Sequence, residues 1–208
     1  MKKTLLASAL AVSSFAASAA PLSIQHLWTY EHTSGVTSEI PAYDALTRTL
    51  WVAGVVGVDV FNAATGSLLQ HIDTTGFGAI NSVAIHNGLA ALAIENLADR
   101  TQPGQVVLFD TLSRGLAAGV NRIGVGALPD MLTFTPDGSR LLIANEATPT
   151  VYGGFDQAGS ISIIDMASRT ASTASFAGAA LGGATCAPLA WILSLSTSRS
   201  TPPAPTLS

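Results

Sequence analysis

Apolar and polar residues alternate along the middle of this chain in short runs. Leu50 and Val52, then Val58 and Val60, repeat every second position. Period two is the mark of a strand with one face inward. The pattern predicts strands over 39–44, 49–53, 58–61 and 67–72, then over 80–85, 89–95 and 105–109, and finally over 130–135, 140–144 and 159–164. Turn chemistry separates them. Asn87-Gly88 sits between two apolar runs, and both residues accept positive φ. Pro136-Asp137-Gly138-Ser139 carries Pro and Gly where a turn wants them. No stretch beyond the first twenty residues has a sustained helical period.

Three segments echo one another: Gly57-Val-Asp-Val-Phe-Asn-Ala-Ala-Thr-Gly66, Gly104-Gln-Val-Val-Leu-Phe-Asp-Thr-Leu-Ser113 and Gly159-Ser-Ile-Ser-Ile-Ile-Asp-Met-Ala-Ser168. Their leading glycines are 47 and 55 residues apart. A period near 50 residues built of short strands points to repeated sheet units. The expected fold is all-β, a partial β-propeller of about three blades, each a four-stranded antiparallel sheet.

Residues 1–20 read as an export signal. Lys2 and Lys3 precede an apolar run from Leu5 to Ala17, and Ala17-Ser-Ala-Ala20 supplies small residues for cleavage. The run is too short for a membrane span, although an uncleaved anchor is the alternative. The expected organisation is a signal at 1–20, propeller-like repeats over 21–176 and an irregular low-complexity tail over 177–208. Two readings of that tail stay open: a disordered Ser/Thr/Pro stalk, or out-of-frame codons replacing the remainder of a longer propeller. Either way the mature protein is expected outside the cytoplasm, in a periplasm or beyond.

Charge narrows the partners. The chain carries 9 basic and 13 acidic residues, net −4. Without Lys2 and Lys3 every remaining base is a scattered Arg, which argues against nucleic acid as a partner. An acidic domain is compatible with divalent cations. The single cysteine, Cys186, can form no internal disulfide and has no His beside it, so it reads as incidental.

The segment Gly126-Ala-Leu-Pro-Asp-Met-Leu-Thr-Phe-Thr-Pro-Asp-Gly-Ser-Arg-Leu-Leu-Ile-Ala-Asn-Glu146, followed by Gly159-Ser-Ile-Ser-Ile-Ile-Asp165, resembles the choice-of-anchor I family of exported bacterial proteins. More loosely it is similar to YVTN-type, WD40-like and lactonase-like propellers. The resemblance runs from Ile24 to Phe176 and implies the N-terminal part of a propeller body. Family members tend to continue Asn-Glu-Gly-Glu-Pro; here Ala147-Thr148-Pro149 follows Glu146, so one acid is missing.

Candidate chemistry centres on Glu95 and Glu146. Each follows the second strand of its repeat, 51 residues apart. Equivalent positions of successive blades surround one axis, so the two acids could converge. With the neighbouring amides of Asn96 and Asn145 they would suit a hard cation such as Ca²⁺, which takes six to eight oxygens. The candidate metal ligands are therefore Glu95, Asn145 and Glu146; the plainer reading is that both acids cap strand ends in solvent. Asp110, Asp165 and Asn62 read as turn residues, whereas Asp59 falls earlier in its repeat. His26, His32, His71 and His86 share no metal-binding spacing. No nucleophile elbow, phosphate loop or dinucleotide fingerprint occurs. The expected function is an exported binding or interaction domain of unknown ligand or surface partner. The alternatives are part of a metal-dependent phosphoesterase- or lactonase-type propeller, and a truncated product without function.

Overall fold

The computed structural model describes residues 24–32, 37–54, 56–149, 151 and 157–176. The expected signal at 1–20 and tail at 177–208 lie outside them, as do Cys186 and Trp191. Twelve strands follow one another: β1 Ser38–Asp44, β2 Thr49–Gly54, β3 Gly57–Asn62, β4 Leu68–Asp73, β5 Ala79–His86, β6 Leu89–Glu95, β7 Pro103–Asp110, β8 Arg122–Ala127, β9 Pro129–Phe134, β10 Arg140–Asn145, β11 Ser160–Asp165 and β12 Thr170–Ser175. They form three antiparallel four-stranded meanders, β1 to β4, β5 to β8 and β9 to β12, each in sequence order. This is the all-β, three-sheet propeller-type architecture that the repeats predict.

Two strands escape the sequence pattern. β8 contains Gly124 and Gly126, and β12, Thr-Ala-Ser-Thr-Ala-Ser, is exposed throughout. β12 buries no apolar surface and so bears no alternation, whereas β8 does alternate, burying Ile123, Val125 and Ala127, but the glycines between them carry no polar side chain to mark its outer face.

Four hairpin turns share one sequence logic. Asp44-Ala-Leu-Thr-Arg48, Asn62-Ala-Ala-Thr-Gly66, Asp110-Thr-Leu-Ser-Arg114 and Asp165-Met-Ala-Ser-Arg169 each open with Asp or Asn and close on a residue with positive φ, between 55° and 72°. The opening side chain accepts the amide of the hydroxyl residue three positions on. Asp110 takes Ser113 N–H at 2.7 Å, Asp165 takes Ser168 N–H at 2.8 Å, and Asn62 takes Thr65 N–H at 3.1 Å. The side-chain oxygen, carboxylate or amide, thus supplies the turn's missing acceptor, and the left-handed residue brings the chain back.

The second sheet is the middle layer. Its strand β6, Leu-Ala-Ala-Leu-Ala-Ile-Glu, is apolar without alternation because both faces are buried. Ala90, Leu92, Ile94, Val107 and Phe109 pack against Trp51, Val58 and Val60 of the first sheet. Ala91, Ala93, Val106 and Leu108 pack against Leu132, Leu141, Ile143 and Ile164 of the third. Inner strand β5 lies against β1 and β2, and β9 lies against β5 and β6. Each sheet therefore starts on the face of the one before it.

The two end faces differ. On the first sheet, Ile24–His32 crosses the far face. Trp28 and Tyr30 pack on Phe61 with ring centroids 6.1 and 4.7 Å away, and the Trp28 indole N–H donates to the Ala63 carbonyl at 3.0 Å. Phe61 is buried as a result. On the third sheet, the side chains of Met131, Leu142, Ala144 and Ile161 line an apolar hollow that no described segment covers.

Candidate functional site

A cleft of about 520 Å³ opens at the end of the second sheet where β5 and β7 begin and β6 ends. Four glycines, Gly76, Gly78, Gly104 and Gly124, give it walls of bare backbone. Two of them are required by close packing. A Cβ at Gly78 would lie 2.2 Å from the Glu95 carbonyl, and one at Gly104 would lie 2.6 Å from the Ile94 carbonyl.

The polar groups form two clusters. On one side, Gln105 Nε2 donates to the Phe77 carbonyl at 2.8 Å, and Arg122 Nε donates to Gln105 Oε1 at 3.0 Å. The Arg122 guanidinium also lies over the Phe77 ring, 5.2 Å from its centroid. One nitrogen and the flat face of Arg122 are thus engaged, while its two terminal nitrogens have no acidic partner among the described residues. On the other side, Arg100 Nη2 contacts Glu95 Oε2 at 3.2 Å.

The intervening 96–102 loop is well tied. Asn96 Oδ1 accepts the amides of Ala98 and Asp99, and Gln157 Nε2 donates to the Thr101 carbonyl. The Thr101 hydroxyl and amide hold the Asp99 carboxyl below its ordinary range.

The three candidate metal ligands occupy equivalent ends of neighbouring sheets. Glu95 pairs with Ala79 at the start of β5, and Asn145 pairs with Pro129 at the start of β9. Asn81 Nδ2, donating to the Pro129 carbonyl at 3.0 Å, joins those two inner strands. Their side chains nonetheless take separate partners. Glu95 turns to Arg100, exposed Glu146 accepts from Thr148 Oγ1, and buried Asn145 donates to Ser160 and Ser162 at 3.1 and 2.9 Å. Asn145 Oδ1 is buried without a hydrogen-bond partner. Among the described residues, no three His, Cys, Asp or Glu side chains are gathered so as to hold a metal ion.

A second polar cluster was hidden in the sequence. Asp59 and His71 face each other in the β3–β4 ladder, and Asp59 Oδ2 lies 3.4 Å from His32 Nδ1. His32 Nε2 is also 2.6 Å from Ser38 Oγ. The Asp59–His71 pairing depends on a register shift between Val60 and Phe61 that the hairpin sequence does not reveal, and the approach of His32 depends on the path of the N-terminal segment.

The solved structures similar to this chain include a nidogen/laminin complex, at 10% identity and TM-score 0.48 over 65% of this chain and 47% of that one. A eukaryotic initiation factor is similar at 14% identity and TM-score 0.42, over 62% of this chain and 29% of that one. The chain thus spans under half of either. No curated protein matches it in sequence. The sequence model of the choice-of-anchor I domain matches residues 39–185, which takes in all twelve strands but the first residue of β1, and the chain belongs to that family.

Proposed function

We propose that this chain is an exported propeller-type binding domain, and that it takes a ligand bearing an anionic group in the cleft between Arg122 and Glu95. The observation that carries this is the pose of Arg122: stacked on Phe77, fixed through Nε, lining a glycine-walled hollow and left without an acidic partner among the described residues. A guanidinium so fixed is prepared for a bidentate carboxylate or phosphate. Export is supported by the signal-like residues 1–20 and by the family.

The test is thermal melting of the protein with a panel of acidic monosaccharides, dicarboxylates and inorganic phosphate. At least one should raise Tm in the native protein and not in Arg122→Ala. A panel without effect, or an effect that Arg122→Ala retains, would remove the proposal.

A second reading, a divalent-cation site of the hydrolase-like kind, is favoured by the unpartnered Asn145 Oδ1 beside Glu146. Ca²⁺ would then raise Tm and chelator lower it, by mass action on the native state. Unchanged melting, or an equal rise in Asn145→Ala, would exclude it.

A further inference from the structure

The His32 cluster has the connectivity of an acyl-transfer site, and we propose that Ser38 is a nucleophile that takes short acyl groups from activated esters. Ser38 Oγ lies 2.6 Å from His32 Nε2, and the other ring nitrogen, Nδ1, lies 3.4 Å from Asp59 Oδ2. Hydroxyl, imidazole and carboxylate thus follow one another in the order that activates a serine. Their order along the chain, His32, Ser38, Asp59, matters less than this geometry.

The carboxylate fixes the tautomer. A carboxylate only accepts, so the neutral His32 ring carries its proton on Nδ1, toward Asp59. Nε2 is then the acceptor, and the Ser38 hydroxyl donates to it. Asp59 is almost fully buried, and its other oxygen, Oδ1, is held by His71 Nδ1 at 2.7 Å. Tyr30 meets the His32 ring edge to face, with centroids 5.1 Å apart. The imidazole is therefore steered from two sides. Its 3.4 Å contact with Asp59 is of the loose kind that tightens in a substrate complex.

Room for a substrate adjoins the serine. Ser38 and His32 line an apolar hollow of about 260 Å³, with Tyr30, Leu50, Val52 and Phe61 among its other walls. Pockets for drug-sized molecules start at about 300 Å³. This smaller hollow suits a short acyl chain. Ser38 is exposed and the His32 side chain is 20% exposed, so substrate and water reach both. The hollow shares no residue with the Arg122 cleft.

In the reaction, Ser38 Oγ bonds to the ester carbonyl carbon and its proton passes to His32 Nε2. The bond from that carbon to the leaving alcohol breaks, and His32 gives the proton to the alcohol. Water then attacks the acyl-serine and gives a proton to His32. His32 hands it to Ser38 Oγ as the carboxylic acid departs. Ser38 and His32 are the catalytic residues, and Asp59 is a positioning residue. Activated esters suit this trio because their leaving group departs with little help.

The experiment uses the full chain and two probes, p-nitrophenyl butyrate and an alkyl fluorophosphonate. The fluorophosphonate forms an Oγ–P bond and expels fluoride, and peptide mass spectrometry then locates it. The expected result is label on Ser38, absent in Ser38→Ala and about tenfold slower or more in His32→Gln, with p-nitrophenol release falling in parallel. Asp59→Asn should lower kcat about tenfold or more and leave KM within about twofold, a split that loss of the fold would not give. Urea-unfolded protein is the second comparison, and it decides the matter even where His32→Gln does not fold. Ser38 should react about tenfold more slowly there than in the native chain. Label spread over other hydroxyls, a rate that folded His32→Gln retains, or equal rates in folded and unfolded protein would overturn the proposal and leave a surface hydrogen-bond network.

Discussion

His71 Nδ1 lies 2.7 Å from Asp59 Oδ1, directly across the β3–β4 ladder. Asp59 is almost fully buried, while the His71 side chain is 44% exposed. Burial of one partner and exposure of the other makes the two truncations unequal. Asp59→Ala, which leaves the imidazoles of His71 and His32 without their acceptor, should cost about 1–3 kcal/mol in urea unfolding. His71→Ala should cost less, and their coupling in a double-mutant cycle should stay near or below ~1 kcal/mol because water screens the imidazole. Equal costs for the two would contradict this reading.

Gly66 and Trp28 form a second dependent pair. A Cβ at Gly66, where φ is 72°, would lie 2.5 Å from the Trp28 ring. Gly66→Ala therefore combines left-handed strain of about 1–2 kcal/mol with displacement of the indole. In a Trp28→Ala background the same change should keep the strain and lose the clash. The measurement is the difference between the two penalties; a Gly66→Ala cost independent of residue 28 would show that Trp28 does not sit on this turn in solution.

Arg114 closes its turn at φ 57°, and its Nε is buried without a partner. Arg114→Gly removes both costs and should raise stability by up to about 1 kcal/mol, read as a higher Tm. Arg114→Val, β-branched at the same backbone angle, should lower it.

Asp137 is held down to about 2, first by the Thr135 hydroxyl and then by the Ser139 amide and hydroxyl. A carboxyl lowered on folding stabilises the native state above its unfolded value of 3.8. That contribution is lost as pH falls toward 2. Asp44 is also lowered: burial pushes it up, but hydrogen bonds from Thr47 and the neighbouring amides outweigh that. Tm should thus fall between pH 5 and pH 2, and fall less steeply in Asp137→Asn. Parallel pH profiles for the two proteins would mean that the turn does not hold the charge.

The turns were the most legible part of this chain. Asp110, Asp165 and Asn62 act by local hydrogen bonds, so their neighbours in sequence are their neighbours in space. Ten of the twelve strands were legible for a similar reason: burial on one face leaves alternation, and burial on both leaves an unbroken apolar run such as Leu89–Ile94. β12 bears no such imprint, because a strand exposed along its length answers only to its backbone ladder. The site was harder to see. The repeat spacing marks Glu95 as half of a carboxylate pair, whereas in the structure it faces Arg100, five residues away. Arg122 and Phe77, 45 residues apart in sequence, carry no shared motif. They meet because the ladders that join β5 through β8 bring them together. Trp28 and Tyr30 lie before the first repeat, and their packing on Phe61 follows no repeat pattern.

The strap across the first sheet gives the array a direction in time as well as in space. Ile24–His32 precedes β1 in the chain, so the first sheet can be sealed on its far side as soon as β3 exists, whether the chain is emerging from the ribosome or from an export channel. Each later sheet then finds an apolar face already waiting, and each leaves one behind. Among the described residues the principal contacts run within a sheet or between neighbouring sheets, so the stack can lengthen from the N-terminus without waiting for a distant partner. Assembly is thus expected to proceed vectorially, with the most recently made sheet always the least protected from solvent.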